Sequence, residues 1–207
     1  MGSFNITMDV QSERIEAVLP DEGAFAAACA ALPEWRRRKC DGFRFEVDRR
    51  QSVAAWELLR RMLAEKGVRA ENLPVTENEF GKPAFDPAVG FHFNISHAKD
   101  RVLAAIGDRP LGCDVERIGK TRADVVKLCF AADERDYVLS FPEGPDRDRA
   151  FCRVWVRKES YVKAVGKGMS IPFKSFSACP GVFPSGWSCE DLDFGDGSLG
   201  AVCTLSP

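Results

Sequence analysis

The 207 residues, 45% apolar and 29% charged, can bury a sizeable core and leave room for one domain or two small halves. A net charge of −2 and a pI near 5.8 exclude a general nucleic-acid coat. No window approaches ~18 uninterrupted apolar residues, which excludes a membrane-spanning helix, and the start lacks the basic-then-apolar layout of a signal peptide, so a cytoplasmic protein is expected. Eight cysteines are scattered without a CxxC pair or spaced histidine partners, the pattern of small buried hydrophobes in a reducing compartment rather than of zinc or disulfides.

In chain order, Phe4, Ile6, Met8 and Val10 alternate with polar residues and predict a first strand. An alanine-rich helix follows over 22–32, stopping near Pro33. Between Arg36 and Arg61 nine basic residues face four acidic ones, an excess suited to a local anionic partner; the run Arg36 to Lys39 within it reads as a solvated charge run. Asp48 with Gln51 three residues on predicts the cap of a helix whose apolar stripe runs through Val53, Trp56, Leu59 and Leu63 to Gly67. A Gly-Lys-Pro turn at 81–83 precedes strands at 91–96, 102–106 and 111–116. Thr121 with Asp124 predicts a helix over 121–129, Asp133 another, and 147–165 the strongest helix of the second half, closed by Gly166. Short strands are expected at 171–176, 187–193 and 199–205. Helices interrupting hairpin-like strands predict an α+β fold.

Three groups of residues carry chemistry. In LGCDVE, strand alternation puts Asp114 and Glu116 on one face with carbons ~7 Å apart, close enough to bracket a hard cation, although an exposed strand edge yields the same pattern by chance. In WVRKESYVKAVGKG, helical spacing sets Glu159 beside Trp155 and Lys163; the competing reading is a surface Glu159–Lys163 pair, which stabilises a helix by only ~0.3–0.5 kcal/mol. The third group is the dispersed cations with Ser96 and His97 at a strand end, where an imidazole binds phosphate, accepts a proton or caps a turn. His92, in the same FHFNISH stretch, reads as a structural histidine satisfied by a hydrogen bond.

GKP at 81–83, FNISH at 93–97, GCDVE at 112–116 and WVRKESYVKAVGKG at 155–168 stand in the order and spacing of the surfactin-synthetase type of 4′-phosphopantetheinyl transferase, which the chain resembles over roughly 30–176. The resemblance implies transfer of the phosphopantetheine arm of coenzyme A to a serine of an apo acyl or peptidyl carrier protein, releasing adenosine 3′,5′-bisphosphate. It also implies a monomer of two similar α+β halves, each a small antiparallel sheet packed with helices, spanning 1–108 and 109–207. By that resemblance Asp114, Glu116 and Glu159 hold Mg2+, or Mn2+, with Glu159 also the general base. Arg36, Lys39, Arg50, Lys82, Ser96, His97, Lys163 and, more weakly, Lys158 bind coenzyme A. Ser160, Met169 and Cys113 depart from the family pattern without removing a charge. The rival readings are a non-catalytic coenzyme A-binding module and another metal-dependent phosphoryl-transfer enzyme acting on nucleic acid; neither a nucleic acid nor a membrane partner is expected.

Overall fold

The computed structural model describes residues 8–207. Phe4 and Ile6 of the predicted first strand lie outside them, and strand β1 is Asp9–Arg14. Four helices follow: α1 (Ile15–Val18), α2 (Glu22–Ala30), α3 (Glu34–Asp41) and α4 (Glu46–Glu65). Asp21 caps α2 by accepting the Ala24 N–H at 2.7 Å. The stretch read as a solvated charge run is α3, in which Arg36 and Cys40, one turn apart, face inward while Arg37, Arg38 and Lys39 stay exposed. The capping box expected at Asp48 does not form. The helix starts two residues earlier behind Phe45, and Gln51 donates to the Lys99 carbonyl at 2.7 Å.

The Gly-Lys-Pro turn joins two short strands, β2 (Val75–Glu77) and β3 (Pro83–Phe85), followed by β4 (His92–Ala98), β5 (Arg101–Gly107) and β6 (Leu111–Arg117). Helices α5 (Ala123–Cys129), α6 (Ala132–Leu139) and α7 (Pro145–Val165) come next. Thr121 does not open α5; its N–H and hydroxyl both donate to Asp148 Oδ1 at 2.7 Å. Pro145 starts α7, where a missing N–H loses nothing, and Gly166 ends it at φ 77°, a conformation that glycine adopts freely. The strand expected over 171–176 is a pair of tight 3-10 turns around Pro172, which has no N–H for a ladder. Strands β7 (Trp187–Asp193) and β8 (Ser198–Leu205) close the chain.

Two three-stranded antiparallel sheets result, in the orders β1-β5-β4 and β6-β8-β7. Each is laid down in the same sequence: an edge strand, a long helix (α4 or α7), the other edge, then the centre. The alternation of β5 explains the layering. Val102, Ala104 and Ile106 pack toward α4 with Trp56, Leu59 and Met62, whereas Leu103 and Ala105 pack against Leu111, Cys113, Val115 and Val202 of the second sheet. On the far side of that sheet, Leu199 and Ala201 meet Cys152 and Val156 of α7. The molecule is thus helix, sheet, sheet, helix, with α5 and α6 joined to α7 through Phe130, Val138 and Val154. The α+β class and its two similar halves follow directly from this order.

Candidate active site

The quoted motifs meet where the edge strands β4 and β6 adjoin, and side chains rather than a strand ladder stitch them. Lys82 donates from Nζ to the Leu111 carbonyl at 3.0 Å and to the Ala164 carbonyl at 3.3 Å. Asn94 accepts the Cys113 N–H at 2.8 Å, and Ser96 donates its hydroxyl to Asp114 Oδ1 at 2.8 Å. Asn78 donates to the Gly166 carbonyl at 2.7 Å, tying the β2–β3 turn to the end of α7.

Gly112 sets the distance between β6 and α7. A Cβ there would lie 2.3 Å from both the Ser160 carbonyl oxygen and the Ala164 nitrogen, so the helix rests on bare backbone. That close approach brings Glu159 and Lys163 to the face of β6 bearing Asp114 and Glu116. Lys163 does not pair with Glu159, as the surface-pair reading supposes; its Nζ donates to Asp114 Oδ1 at 2.6 Å and to Ser96 Oγ at 3.0 Å. Asp114 is 4% exposed, and its second oxygen, Oδ2, is buried without a hydrogen-bond partner among the described residues.

The electrostatics record a crowded acidic cluster. Burial, then the charges of Asp114 and Glu159, push Glu116 up to about 7, against Lys163 and a hydrogen bond from the Trp155 indole. Burial and Asp114 likewise hold Glu159 above the usual carboxylate range. Burial favours loss of the Lys163 proton, but Asp114, Cys113 and Glu159 outweigh it and keep the ammonium above its ordinary value. His97 is pushed down to about 4 by burial and by the nearby Lys163 and Arg36 charges, so at neutral pH it is an uncharged imidazole.

The three carboxylates are a hard-oxygen donor set of the type that binds Mg2+. The orphaned Oδ2 of Asp114, and the burial and neighbouring carboxylate charge that raise Glu116 and Glu159, are offset by a cation, so these residues fit one. Among the described residues no three His, Cys, Asp or Glu groups stand together as a ready-made metal site, so side-chain adjustment would have to complete it.

The predicted cofactor residues divide. Ser96, His97, Lys82 and Lys163 lie at the seam. Lys82, Asn94, Glu159, Lys163, Met169 and Phe173 help line a cavity of about 260 Å³ between the β2–β3 turn and the end of α7. Burial, with no carboxylate to offset it, brings Lys82 down to about 8. Arg36 is 4% exposed, held between Trp35 and Trp56 and donating to the Ser52 carbonyl at 3.1 Å and hydroxyl at 2.9 Å; its charge reaches His97. Lys39 is exposed one turn further along α3.

Arg50 turns instead to α2, where it pairs with Glu22 and lies 4.4 Å from the Phe25 ring. Lys158 is a clear correction. It is completely buried, donating to both Glu134 carboxylate oxygens at 2.7 Å and to the Phe176 carbonyl at 2.9 Å, and has no face left for a phosphate. His92 is also corrected: it is exposed, and its side chain makes no hydrogen bond among the described residues.

The departures from the family pattern acquire reasons. The Ser160 hydroxyl, buried, donates to the Ala201 carbonyl of β8 at 2.8 Å, and Met169 stands almost fully exposed at the cavity rim. Cys113 is fully buried, and its thiol is pushed up to about 12 by burial, which leaves it inert. Sequence reasoning passed over Asn94 and Asn78. The signal for Asn94 was there, a polar residue on the same strand face as Ser96.

Comparison with known proteins places this geometry. Residues 18–107 match the family model described as 4′-phosphopantetheinyl transferase, N-terminal, and residues 110–191 match that of the 4′-phosphopantetheinyl transferase superfamily. The 4′-phosphopantetheinyl transferase psf-1 of Bacillus pumilus is 34% identical over 145 residues, covering 69% of this chain and 61% of that protein. The 4′-phosphopantetheinyl transferase gsp of Aneurinibacillus migulanus is 36% identical over 130 residues, covering 62% and 54%. The 4′-phosphopantetheinyl transferase Sfp of Bacillus subtilis is 29% identical over 143 residues, covering 69% and 63%. The matched stretch therefore spans less than two thirds of each of these relatives. With both halves matched by models of one family, and the GKP, FNISH, GCDVE and WVRKES residues gathered at one seam, the chain belongs to the 4′-phosphopantetheinyl transferase superfamily, in its surfactin-synthetase type.

Proposed function

We propose that this protein transfers the 4′-phosphopantetheine moiety of coenzyme A to a serine of an apo acyl or peptidyl carrier protein. The observation that carries the reading is the cluster of Asp114, Glu116 and Glu159 under α7, with the Asp114 Oδ2 left unpartnered. In the reaction the serine oxygen forms a bond to the phosphorus bearing the pantetheine arm. The bond from that phosphorus to the bridging oxygen breaks, and adenosine 3′,5′-bisphosphate leaves. Glu159, half-buried and raised in proton affinity, takes the serine proton. A Mg2+ or Mn2+ ion held by Asp114, Glu116 and Glu159 would neutralise the pyrophosphate that otherwise repels the nucleophile.

Lys163, anchored on Asp114, presents positive charge to the same phosphates, neutral His97 supplies a hydrogen bond from β4, and Ser96, its proton given to Asp114 Oδ1, steadies that carboxylate and Lys163. Lys82, at the cavity, and Lys39, exposed on α3, extend the grip toward the rest of coenzyme A, and buried Arg36 adds its charge beside His97. Arg50 and Lys158 are left out of it. Chain division at 108/109 is supported by β5 ending at Gly107 and β6 starting at Leu111. We take the protein to act as a cytoplasmic monomer; no helix among the described residues is long and apolar enough to cross a membrane.

The test mixes the protein with coenzyme A, Mg2+ and a panel of apo carrier proteins and reads intact masses. A phosphopantetheine increment on at least one carrier is expected, and no increment on any would sink the proposal. Glu159→Gln is expected to lower turnover by about 10²–10⁴-fold with coenzyme A binding still measurable by calorimetry. Unchanged turnover would remove Glu159 as the base.

A further inference from the structure

Most of the cysteines are expected to be small buried hydrophobes, and five are buried; Cys189 and Cys203 are set apart by facing each other. They are direct partners in the antiparallel register of β7 and β8, and the Cys203 thiol donates to the Cys189 sulfur at 3.0 Å. Directly opposed residues of an antiparallel pair hold their Cα atoms ~4.5–5.5 Å apart, inside the ~4.4–6.8 Å span that a disulfide bridges. Among the described residues no other two cysteines share a hydrogen bond. The two also differ in access. Cys203, on the central strand, is fully buried against α7, where its thiol also reaches the Arg157 carbonyl at 3.7 Å; Cys189, on the edge strand, is half-buried.

We propose that Cys189 and Cys203 are a peroxide-sensitive thiol pair that closes a reversible cross-strand disulfide. The Cys189 sulfur attacks a hydroperoxide oxygen; the O–O bond breaks, leaving a sulfenic acid on Cys189 and one molecule of water or alcohol. The Cys203 sulfur then gives up its proton and attacks the Cys189 sulfur. The S–S bond forms, the S–O bond breaks, and hydroxide leaves with that proton as water. Two thiols are oxidised by two electrons and the hydroperoxide is reduced, so no further reagent is needed; a small dithiol returns the pair to its starting state.

Position gives the order of events. The edge cysteine meets the oxidant, and the buried one, already in contact with the Cys189 sulfur across the ladder, resolves it. The link lies beneath α7 beside the Asp191 clasp, in which that carboxylate takes Arg157 at 2.9 Å and Arg153 at 3.2 Å. It would therefore fasten the edge strand to the sheet on which the helix of Glu159 rests.

The experiment treats the full chain with hydrogen peroxide at a few equivalents, quenches, denatures and counts thiols. The eight thiols are expected to fall by two, the mass to fall by about 2 Da, and a Cys189–Cys203 peptide to appear in an unreduced digest and vanish with dithiothreitol. In Cys203→Ser, which cannot close, dimedone is expected to label Cys189. The proposal is overturned if all eight thiols persist, if the linked peptide joins other cysteines, or if Cys189 proceeds to sulfinate in the native chain without a link.

Discussion

Lys158 and Lys163 stand five residues apart on α7 with the same charge, and their surroundings give them opposite tasks. Lys163 keeps part of its surface in the open site and is held charged chiefly against burial by Asp114, whereas Lys158 is sealed with Glu134 in a pair that neither solvent nor ligand reaches. Removing one member of a sealed pair strands the other, so Lys158→Met should lower stability by about 3–5 kcal/mol in urea titration, and a loss under ~1 kcal/mol would refute a structural role for the pair. The folded chain keeps the His97 imidazole neutral down to about 4, while an unfolded one protonates near 6.5. Between those values the unfolded state binds more protons, so this part of the stability is whole above 6.5 and drains away as pH falls toward 4. Comparing pH 7 with pH 5, the native chain should lose about 2 kcal/mol more than His97→Gln. Taking the difference matters because Glu116, raised to about 7, contributes in the opposite direction over its own window from 4.5 upward. Parallel pH curves for native and variant would contradict the assignment.

At the scale of elements, the packing of α7 on β6 depends on Gly112. A methyl group there would meet backbone atoms of the helix, which cannot swing aside as a flexible side chain does. Gly112→Ala should therefore lower stability by about 3 kcal/mol or more and reduce carrier modification with it, because any shift of α7 moves Glu159 and Lys163 away from Asp114. An unaltered thermal midpoint would show that the helix has more room than its contacts indicate. The elements most legible from sequence were those with long, uninterrupted periodicity: α7 and the strands β4 to β8 fall within about two residues of expectation. Those missed were short or locally ambiguous. The β2–β3 hairpin has only three residues a side, α3 hides one inward arginine in a run of charges, and the apolar residues around Pro172 imitate a strand while turning in place. At the site, spacing put Asp114 with Glu116 on one strand face and Glu159 beside Trp155, and only the resemblance named the three as one set. Which cation meets which carboxylate could not be read from spacing, since Lys163 reaching Asp114 and Lys158 reaching Glu134 depend on how distant segments pack.

Over the whole molecule, the two halves are also joined outside the β4–β6 seam, by Asp196 in the β7–β8 turn. Its carboxylate accepts from Arg101 of β5 at 2.7 Å and Arg14 of β1 at 3.2 Å, and Arg101 lies 4.4 Å from the Phe194 ring. The Arg101 hydrogen bond leads in holding Asp196 at about 2, so the contact persists through ordinary acid conditions and fails only as pH drops through that value. Asp196→Ala should lower the thermal midpoint, and added salt should affect the native midpoint more than the variant's; equal midpoints would show that the seam core alone joins the halves. The repeated order of edge, helix, edge and centre has a further meaning. All three acids and Lys163 come from the second copy, and Ser96, His97 and the GKP lysine from the first, so the residues of the proposed site are shared out between two versions of one folding plan. A protein containing that plan only once would have to bring two chains together, edge strand against edge strand, to build the same seam. In this chain a few residues between β5 and β6 take the place of that association, and the seam is made within one chain.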